Sequence, residues 1–283
     1  MGLVTLKEIL PKAQSEHYAI VGFEGKTAEE IKAIIETAAQ ERSPVIVQVY
    51  HGHENCLGAG AFVEVVKYYA EKAKIPVAAH LDHAVDMDNI RECLEAGFPS
   101  VMIDASARPL NENIRIVREV VKMARRFEAS VEAELGNLGT LTGVPAAERW
   151  KFLTDPEEAR EFVAETGVDA LAVAIGTAHG AYDAKPELDF ERLRQLREVV
   201  SIPLVMHGGS GTPAKDVRRA ISLGISKINI GTEIGNAFTS ALRHVAKSES
   251  KVIWSTDLMS EATKRIGEVV RRKIEEFGSR GKA

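Results

Sequence analysis

Eight short runs rich in Val, Ile and Ala punctuate this chain, and between them the hydrophobic spacing changes to that of helices. The runs are 18–24 (YAIVGFE), 44–50 (PVIVQVY), 76–82 (PVAAHLD), 100–104 (SVMID), 130–136 (SVEAELG), 170–176 (ALAVAIG), 203–208 (PLVMHG) and 227–232 (KINIGT). Most read as near-continuous hydrophobic stretches, the pattern of strands buried on both faces. Between the first two runs, Ala28, Ile31, Ile34, Ile35 and Ala38 form one helical stripe. Thr154-Asp155-Pro156-Glu157-Glu158 supplies a capping residue, a first-turn proline and first-turn acids for a helix over 156–166. Thr212-Pro213 opens a helix over 212–223 in the same way. Strand, helix, strand, repeated, demands a parallel sheet with right-handed crossovers.

Eight such strands in about 230 residues is the count for a closed (β/α)8 TIM barrel. An open doubly wound sheet would announce a glycine-rich phosphate loop after its first strand, and Gly22-Phe23-Glu24-Gly25-Lys26-Thr27 matches neither common fingerprint. The chain has 283 residues, no linker and no low-complexity tract. The expectation is therefore one barrel domain over 1–283, with a C-terminal helical extension. In that tail Ile266, Val269, Val270, Ile274 and Phe277 share a stripe that would cover the barrel or dock on a partner subunit. The connection 137–153 is long for a strand-to-helix loop, and loops of that length are often lids.

Composition narrows the function classes. With 36 basic and 41 acidic side chains the formal charge is −5, which argues against a nucleic-acid surface. No window of 18 uninterrupted apolar residues exists, so no membrane span is expected. Two cysteines, Cys56 and Cys93, make no disulfide framework. The first residues lack a signal pattern. A cytoplasmic protein acting on a small molecule is the expectation.

In a barrel of this kind the C-terminal strand ends and the loops after them carry the chemistry. Those positions hold His80-Leu81-Asp82-His83, Asp104, Glu132-Ala133-Glu134, His179-Gly180, His207-Gly208-Gly209-Ser210-Gly211 and Asn229-Ile230-Gly231-Thr232. Three imidazoles, His83, His179 and His207, from separate strand ends with carboxylates among them suit a divalent transition metal such as zinc. His51 and His53 are a weaker pair, read as loop residues. His80 is expected inside the barrel, and His17 and His244 on the surface. The glycines of 208–211, followed by a helix start, suit a phosphate cradle; the plainer reading is a tight turn needing positive φ. No lysine is read at a strand end where it could form a Schiff base, Lys26 in the first loop excepted.

The segments AHLDHAVDMDNIRECLEAGFPSVMIDAS, SVEAELGNLG, TDPEEAREFVAETGVDALAVAIGTAHGAY, LDFERL and PLVMHGGSGTPAKDVRRAISLGISKINIGTEI resemble the class II, metal-dependent ketose-bisphosphate aldolases, of which fructose- and tagatose-bisphosphate aldolases are members. The resemblance runs from about residue 5 to 240. It implies a (β/α)8 barrel, a homodimer or homotetramer, one zinc per subunit, and a sugar-phosphate or related carbonyl substrate. It implies further that His83, His179 and His207 hold the zinc. Asp82 would move a proton at the hydroxyl of the bond made or cleaved. Glu134 would lie near the metal, and Asp104 would help hold it when it shifts. Gly180, Gly208, Ser210, Asn229 and Thr232 would surround the donor phosphate, where a monovalent cation is also found.

The chemistry agrees with the residues. Cleaving a β-hydroxy ketone leaves an enediolate whose charge a Lewis acid stabilises, while a carboxylate takes the hydroxyl proton. The departures fall on the substrate pocket. Glu24 stands where the family carries Asn, and Tyr50 where a small Ser is common. Asp104-Ala105-Ser106-Ala107-Arg108 replaces Asp-Gly/Ala-Ser-His. Gly139-Thr140-Leu141-Thr142-Gly143 replaces a lid motif containing a proton-exchanging acid. Asp183 matches a phosphate-facing Lys, with Lys185 two residues on, and Gly231 replaces an acid on strand eight, with Glu233 two positions later. An acid in contact with a phosphate dianion costs roughly 1–4 kcal/mol. These changes point away from fructose 1,6-bisphosphate. Two other readings stay open at this point: a metal-dependent lyase of an unphosphorylated hydroxy-keto acid, with Arg108 on the carboxylate, and an inactive paralogue acting as a regulatory or structural subunit.

Overall fold

The computed structural model describes residues 2–136, 152–178, 186–247 and 252–283. Eight parallel strands close into a barrel in chain order, the last pairing back onto the first. They are β1 (Ile20–Glu24), β2 (Val45–Tyr50), β3 (Val77–Ala84), β4 (Ser100–Ile103), β5 (Ser130–Leu135), β6 (Ala170–Val173), β7 (Leu204–Met206) and β8 (Ile225–Ile230). Around them lie α1 (Leu6–Ser15), α2 (Ala28–Gln40), α3 (Ala59–Ala73), α4 (Met87–Glu95), α5 (Leu110–Ala124), α6 (Pro156–Thr166), α7 (Phe190–Val199), α8 (Ala214–Ser222), α9 (Thr232–Ala246) and α10 (Ser255–Glu276). This is the (β/α)8 TIM barrel that the strand count implied, with the C-terminal helical extension in place.

Local chemistry sets the helix starts. Thr27 caps α2 through the Glu30 N–H while the Glu30 carboxylate accepts from the Thr27 N–H, a reciprocal box. Asp155 caps α6 with Pro156 in its first turn, an arrangement contributing about 1 kcal/mol. The helix expected over 212–223 begins at Ala214, because Pro213 is extended and serves as its N-cap residue.

Side chains alternate between two cores. Val45, Val47 and Val49 of β2, with Val77, Ala79 and Leu81 of β3, face the helices. The opposite positions Ile20, Ile46, Ala78, Ala170, Ala172 and Val205 fill the lower barrel, where Leu6, Leu10 and Ala13 of α1 plug it. Truncating a buried leucine such as Leu10 to alanine would cost about 2–5 kcal/mol. Higher up, the inward positions turn polar: Gln48, His80, Glu132 and Lys227 are fully buried. The apolar base holds the closure; the polar layer prepares the mouth.

The tail covers its own barrel. Ile266, Val270, Ile274 and Phe277 are buried, and α10 packs on α2 and α9. Its end is tied down by Arg271 and Arg280 on Glu41, by Ser43 on Ser279, and by backbone bonds from Gly281 and Ala283 to Glu41 and Arg42. Residues 137–151 of the expected lid lie outside the described residues. At its far end Thr154 is anchored, its hydroxyl donating to the Leu135 carbonyl and accepting from the Ala174 N–H.

Candidate active site

Asp82 and His83 reach the mouth of the barrel through an irregularity. The pairing of β3 with β4 shifts register between Leu81 and Ala84, and His83 sits at φ 50°. A non-glycine residue in the left-handed region stores strain that surrounding contacts must hold. The bulge turns two consecutive side chains, which a regular strand would point to opposite faces, toward one space. Asp82 Oδ2 accepts from Gln48 Nε2 at 2.8 Å and Oδ1 from Asn229 Nδ2 at 3.1 Å. His83 Nδ1 lies 2.9 Å from Asp104 Oδ2, and Asp104 is itself held by the Ser106 N–H and hydroxyl.

His207 follows β7 and is fully buried. Its Nε2 is 2.9 Å from Glu132 Oε1, and its Nδ1 is 3.4 Å from Glu134 Oε2. Its ring centroid lies 4.6 Å from that of His83. Beneath it Lys227 Nζ bonds Glu132 Oε2 at 2.9 Å with both side chains inaccessible to solvent.

The acids and bases here perturb one another. Burial alone pushes the Asp82 carboxyl up, but His83, His207 and Lys227 together hold it below the usual aspartate range. Glu132 is likewise held down against burial, by Lys227 first and His207 next. Burial opposes charging of His207, yet its bonds to Glu132 and Glu134 push it up to about 10. His80 goes the other way, to about 3, because it is buried and close to the Lys227 ammonium; its Nδ1 meets Ser100 Oγ at 2.7 Å. The two imidazoles and the Lys227 ammonium stand among these carboxylates and offset their charge.

Donor atoms of Asp82, His83 and His207 lie within 4.8 Å of one another, and so do those of His83, Asp104 and Glu134. Two imidazoles, each oriented by a carboxylate through one ring nitrogen, with further carboxylates beside them, are a donor set that fits a divalent transition ion. His80, Asp82 and Glu132 also satisfy that distance test. There, however, the Lys227 ammonium already supplies the cation.

A pocket of about 430 Å³ opens beside Asp82, lined by Glu24, Lys26, Gln48, Tyr50, His53, Gly208, Ser210, Asn229, Gly231, Thr232, Gly235, Asn236 and Thr239. Gly208 and Gly211 adopt φ 68° and 79°, so the turn after β7 does need glycine. Its backbone faces the N-terminus of α9, a location suited to an anion. The turn is braced: Thr212 Oγ1 donates to the Gly208 carbonyl at 3.0 Å, and the Gly209 N–H donates to the Asn229 carbonyl at 3.2 Å.

The structure therefore gathers Asp82, His83, His207, Asp104 and Glu134 at one centre, with Gly208, Ser210, Asn229 and Thr232 at the adjoining pocket. His179 and Gly180 lie outside the described residues, as do Asp183 and Lys185. Asn229, expected at a phosphate, lines the pocket and also places its amide nitrogen on Asp82. His51 pairs with Asn89, while His53 packs its ring against Tyr50 at the pocket. Arg108 is exposed and does not line the pocket. That removes the residue on which the hydroxy-keto acid reading leaned. Glu233 turns away to Lys273 and Arg272 of α10 at 2.9 and 2.7 Å. Gln48 and Lys227 are inner residues that strand-end positions alone do not point to, and Glu132, at such a position, turns out to hold His207 and Lys227. Period-two placement of polar residues in otherwise apolar strands was the available signal.

Comparison with known proteins agrees with this geometry. The model of the class-II fructose-bisphosphate aldolase family matches residues 4–282. The D-tagatose-1,6-bisphosphate aldolase subunit GatY of Klebsiella oxytoca is 42% identical over 284 aligned residues, covering 99% of each chain. Among solved structures, the YdjI aldolase of Escherichia coli K12 superposes with a TM-score of 0.89 at 38% identity, covering 99% of both chains. A putative fructose-1,6-bisphosphate aldolase of Coccidioides immitis gives 0.87 at 30% identity, covering 97% of this chain and 96% of that one. With the barrel, the carboxylate–imidazole cluster and these full-length matches in hand, the chain belongs to the class-II fructose-bisphosphate aldolase family, a family of metal-dependent carbon–carbon lyases.

Proposed function

We propose that the protein is a zinc-dependent aldolase that reversibly cleaves a ketose phosphate other than fructose 1,6-bisphosphate, with Asp82 as its proton-transfer group. The observation carrying this reading is the Asp82 carboxylate, gripped by the amides of Gln48 and Asn229 and set one residue before His83. Held by His83, His207 and His179, with Glu134 and Asp104 beside them, a zinc ion would supply a Lewis acid for the charge released when the carbon–carbon bond parts.

The chain's own groups do the rest. Asp82, ionised because the surrounding cations outweigh its burial, accepts the proton of the substrate hydroxyl during cleavage and returns it during synthesis. Gln48 and Asn229 fix the direction of that carboxylate. Gly208, Ser210 and Thr232, with Gly180, bind the donor phosphate beside the start of α9, where a monovalent cation also belongs. Glu24 and Tyr50 in the same pocket shape the room left for the aldehyde half. The GatY relative is described as acting on D-tagatose 1,6-bisphosphate, which supports a ketose-phosphate substrate differing from the fructose compound. A homodimer or homotetramer in the cytoplasm accompanies this reading.

The test is cleavage of fructose 1,6-bisphosphate, tagatose 1,6-bisphosphate and ketose 1-phosphates by the zinc-loaded protein, with dihydroxyacetone phosphate and pyruvate compared as donors in synthesis. Cleavage of a ketose phosphate other than fructose 1,6-bisphosphate, lost on chelation and regained with zinc, is expected. Fructose 1,6-bisphosphate as the best substrate would overturn the altered pocket. Activity that survives complete removal of the metal would overturn the mechanism.

A further inference from the structure

Glu24 ends β1 on the inner face of the barrel, and two hydrogen bonds fix its carboxyl group. Oε1 accepts from Gln48 Nε2 at 3.2 Å, and Oε2 accepts from the Tyr50 N–H at 3.3 Å. The same Gln48 nitrogen donates to Asp82 at 2.8 Å. One amide group therefore sets two carboxyl groups side by side, facing one pocket. The room for the side chain comes from a glycine. A Cβ built on Gly231, across the β8–β1 seam, would lie 2.9 Å from Glu24 Cγ. Glu24 thus occupies the space that a side chain at 231 would fill. Gly22, one inward position below, does the same for Gln48, whose amide a Cβ there would strike. Two glycines open the interior for one amide and one acid. Phe23 and Ile230 beside it belong to the outer core against the helices, and at this inner position an apolar side chain would fill the space without desolvating a carboxyl group.

We propose that Glu24 is a specificity-determining residue, whose carboxyl group hydrogen-bonds the hydroxyl on the carbon next to the aldehyde carbonyl of the acceptor. The enzyme therefore selects 2-hydroxyaldehydes over their deoxy counterparts. This rests on the aldolase reading and on Asp82 acting at the oxygen of the new bond. Oxygens on adjacent carbons of a bound substrate meet neighbouring groups of the wall, and the neighbour of Asp82 on the pocket side is Glu24. Burial, with the Asp82 charge next, pushes its carboxyl up to about 8, so it carries a proton to donate as well as an oxygen to accept. A hydroxyl satisfies both roles, whereas an anionic group placed between two acids meets repulsion. Lys26 lines the same pocket and, among the described lining residues, is the cation available for a charged terminus.

The experiment compares addition of dihydroxyacetone phosphate to lactaldehyde and to propanal, which differ only in the 2-hydroxyl, by the unmodified protein and by Glu24→Ala and Glu24→Gln. The unmodified protein is expected to favour lactaldehyde in kcat/KM. Glu24→Ala should shrink that preference about tenfold, the scale of one lost hydrogen bond in a buried site. Glu24→Gln, which keeps a donor and an acceptor, should retain most of it. Glu24→Met, of similar size and without oxygens, gives the same reading if the alanine protein fails to fold. An unchanged preference in the alanine or methionine protein overturns the role of Glu24 while leaving the aldolase intact. Failure of the unmodified protein to add the donor to either aldehyde overturns the aldolase reading and this inference with it.

Discussion

His207 and Glu132 meet at 2.9 Å in the interior of the barrel, Nε2 to Oε1, with neither side chain reached by solvent. The carboxylate fixes the ring's orientation and directs its Nδ1 edge toward Glu134 and the mouth. In the proposed zinc site, a histidine held in this way depends on its partner for both geometry and basicity. Glu132→Gln keeps an oxygen that accepts from the imidazole but leaves the buried Lys227 ammonium without its counter-charge, so it should fold with reduced stability. It should also weaken zinc binding by about 10–100-fold. Chelator competition measures this directly, and affinity equal to that of the unmodified protein would show that Glu132 only fills space.

Lys227 gives a second, independent measurement on the same network. Its ammonium, on the inward face of β8, sits 2.9 Å from Glu132 and is fully buried. Removing one member of a buried ion pair strands the other, at a cost of about 3–5 kcal/mol. Lys227→Met should lower stability by that amount in urea unfolding of the metal-free protein. The double variant Lys227→Met with Glu132→Gln should lose less than the two single losses summed, since the stranded charge is gone. Strict additivity would mean the two residues act separately.

The barrel was legible because every strand carries its own turn and helix signals, and because the chain's period alternates so regularly. Thr154-Asp155-Pro156 marks the start of α6 to the residue. The strands themselves read as continuously apolar, which fits β6 but hides what β2, β3, β5 and β8 do. In those strands Gln48, His80 and Glu132 alternate with apolar neighbours, Lys227 lies between Ser226 and Ile228, and the four build a polar interior below the mouth. Asp82, His83, Asp104, Glu134 and His207 could be gathered from sequence because chemistry in this fold lies at strand ends. The β3 irregularity and the left-handed backbone of His83 could not: they arise from contacts with β4 and Asp104 that no local pattern encodes. The same holds for the amide of Asn229, which lies two residues from the α9 turn in sequence but points across the barrel to β3.

Asp82→Asn tests the proton-transfer role at constant shape. The amide oxygen can accept from Gln48 or Asn229, so the side chain stays in place, but it no longer takes a proton. Loss of a positioned general base typically costs about 10²–10⁴ in rate. The kcat for cleavage should fall in that range while zinc content stays stoichiometric. A variant with near-normal kcat would assign the proton to another group.

The tail's hold on the barrel should depend on pH through Glu233. This side chain joins α9 to α10 through Lys273 and Arg272, and its Oε1 also accepts from the Gly211 N–H at 3.4 Å. Burial raises its pKa, but the two cations outweigh that and leave it below the ordinary 4.5. A carboxyl group lower in the folded than in the unfolded chain stabilises the fold above the unfolded value, and this contribution disappears as pH falls through the folded one. The stability gap between the unmodified protein and Glu233→Gln should therefore be constant above pH 4.5 and close progressively below it. Urea unfolding across that range measures the gap; one that widened on acidification would contradict the ion pairs.

Gly231 and Glu24 should behave as one unit. A Cβ at 231 would come 2.9 Å from Glu24 Cγ, well inside the ~3.5–4.0 Å at which carbon atoms rest. The backbone at 231 has φ −111°, which alanine adopts freely, so Gly231→Ala should fold with little loss and act through displacement of the Glu24 side chain. The expected result is a reduced kcat/KM for lactaldehyde addition with zinc content unaltered. In a Glu24→Ala background the same substitution has nothing to displace, and its further effect should shrink to nearly nothing. Residues in contact show such coupling in a double-mutant cycle, and independent ones do not. Equal effects of Gly231→Ala in both backgrounds would mean that the missing side chain on β8 serves something other than the acid on β1.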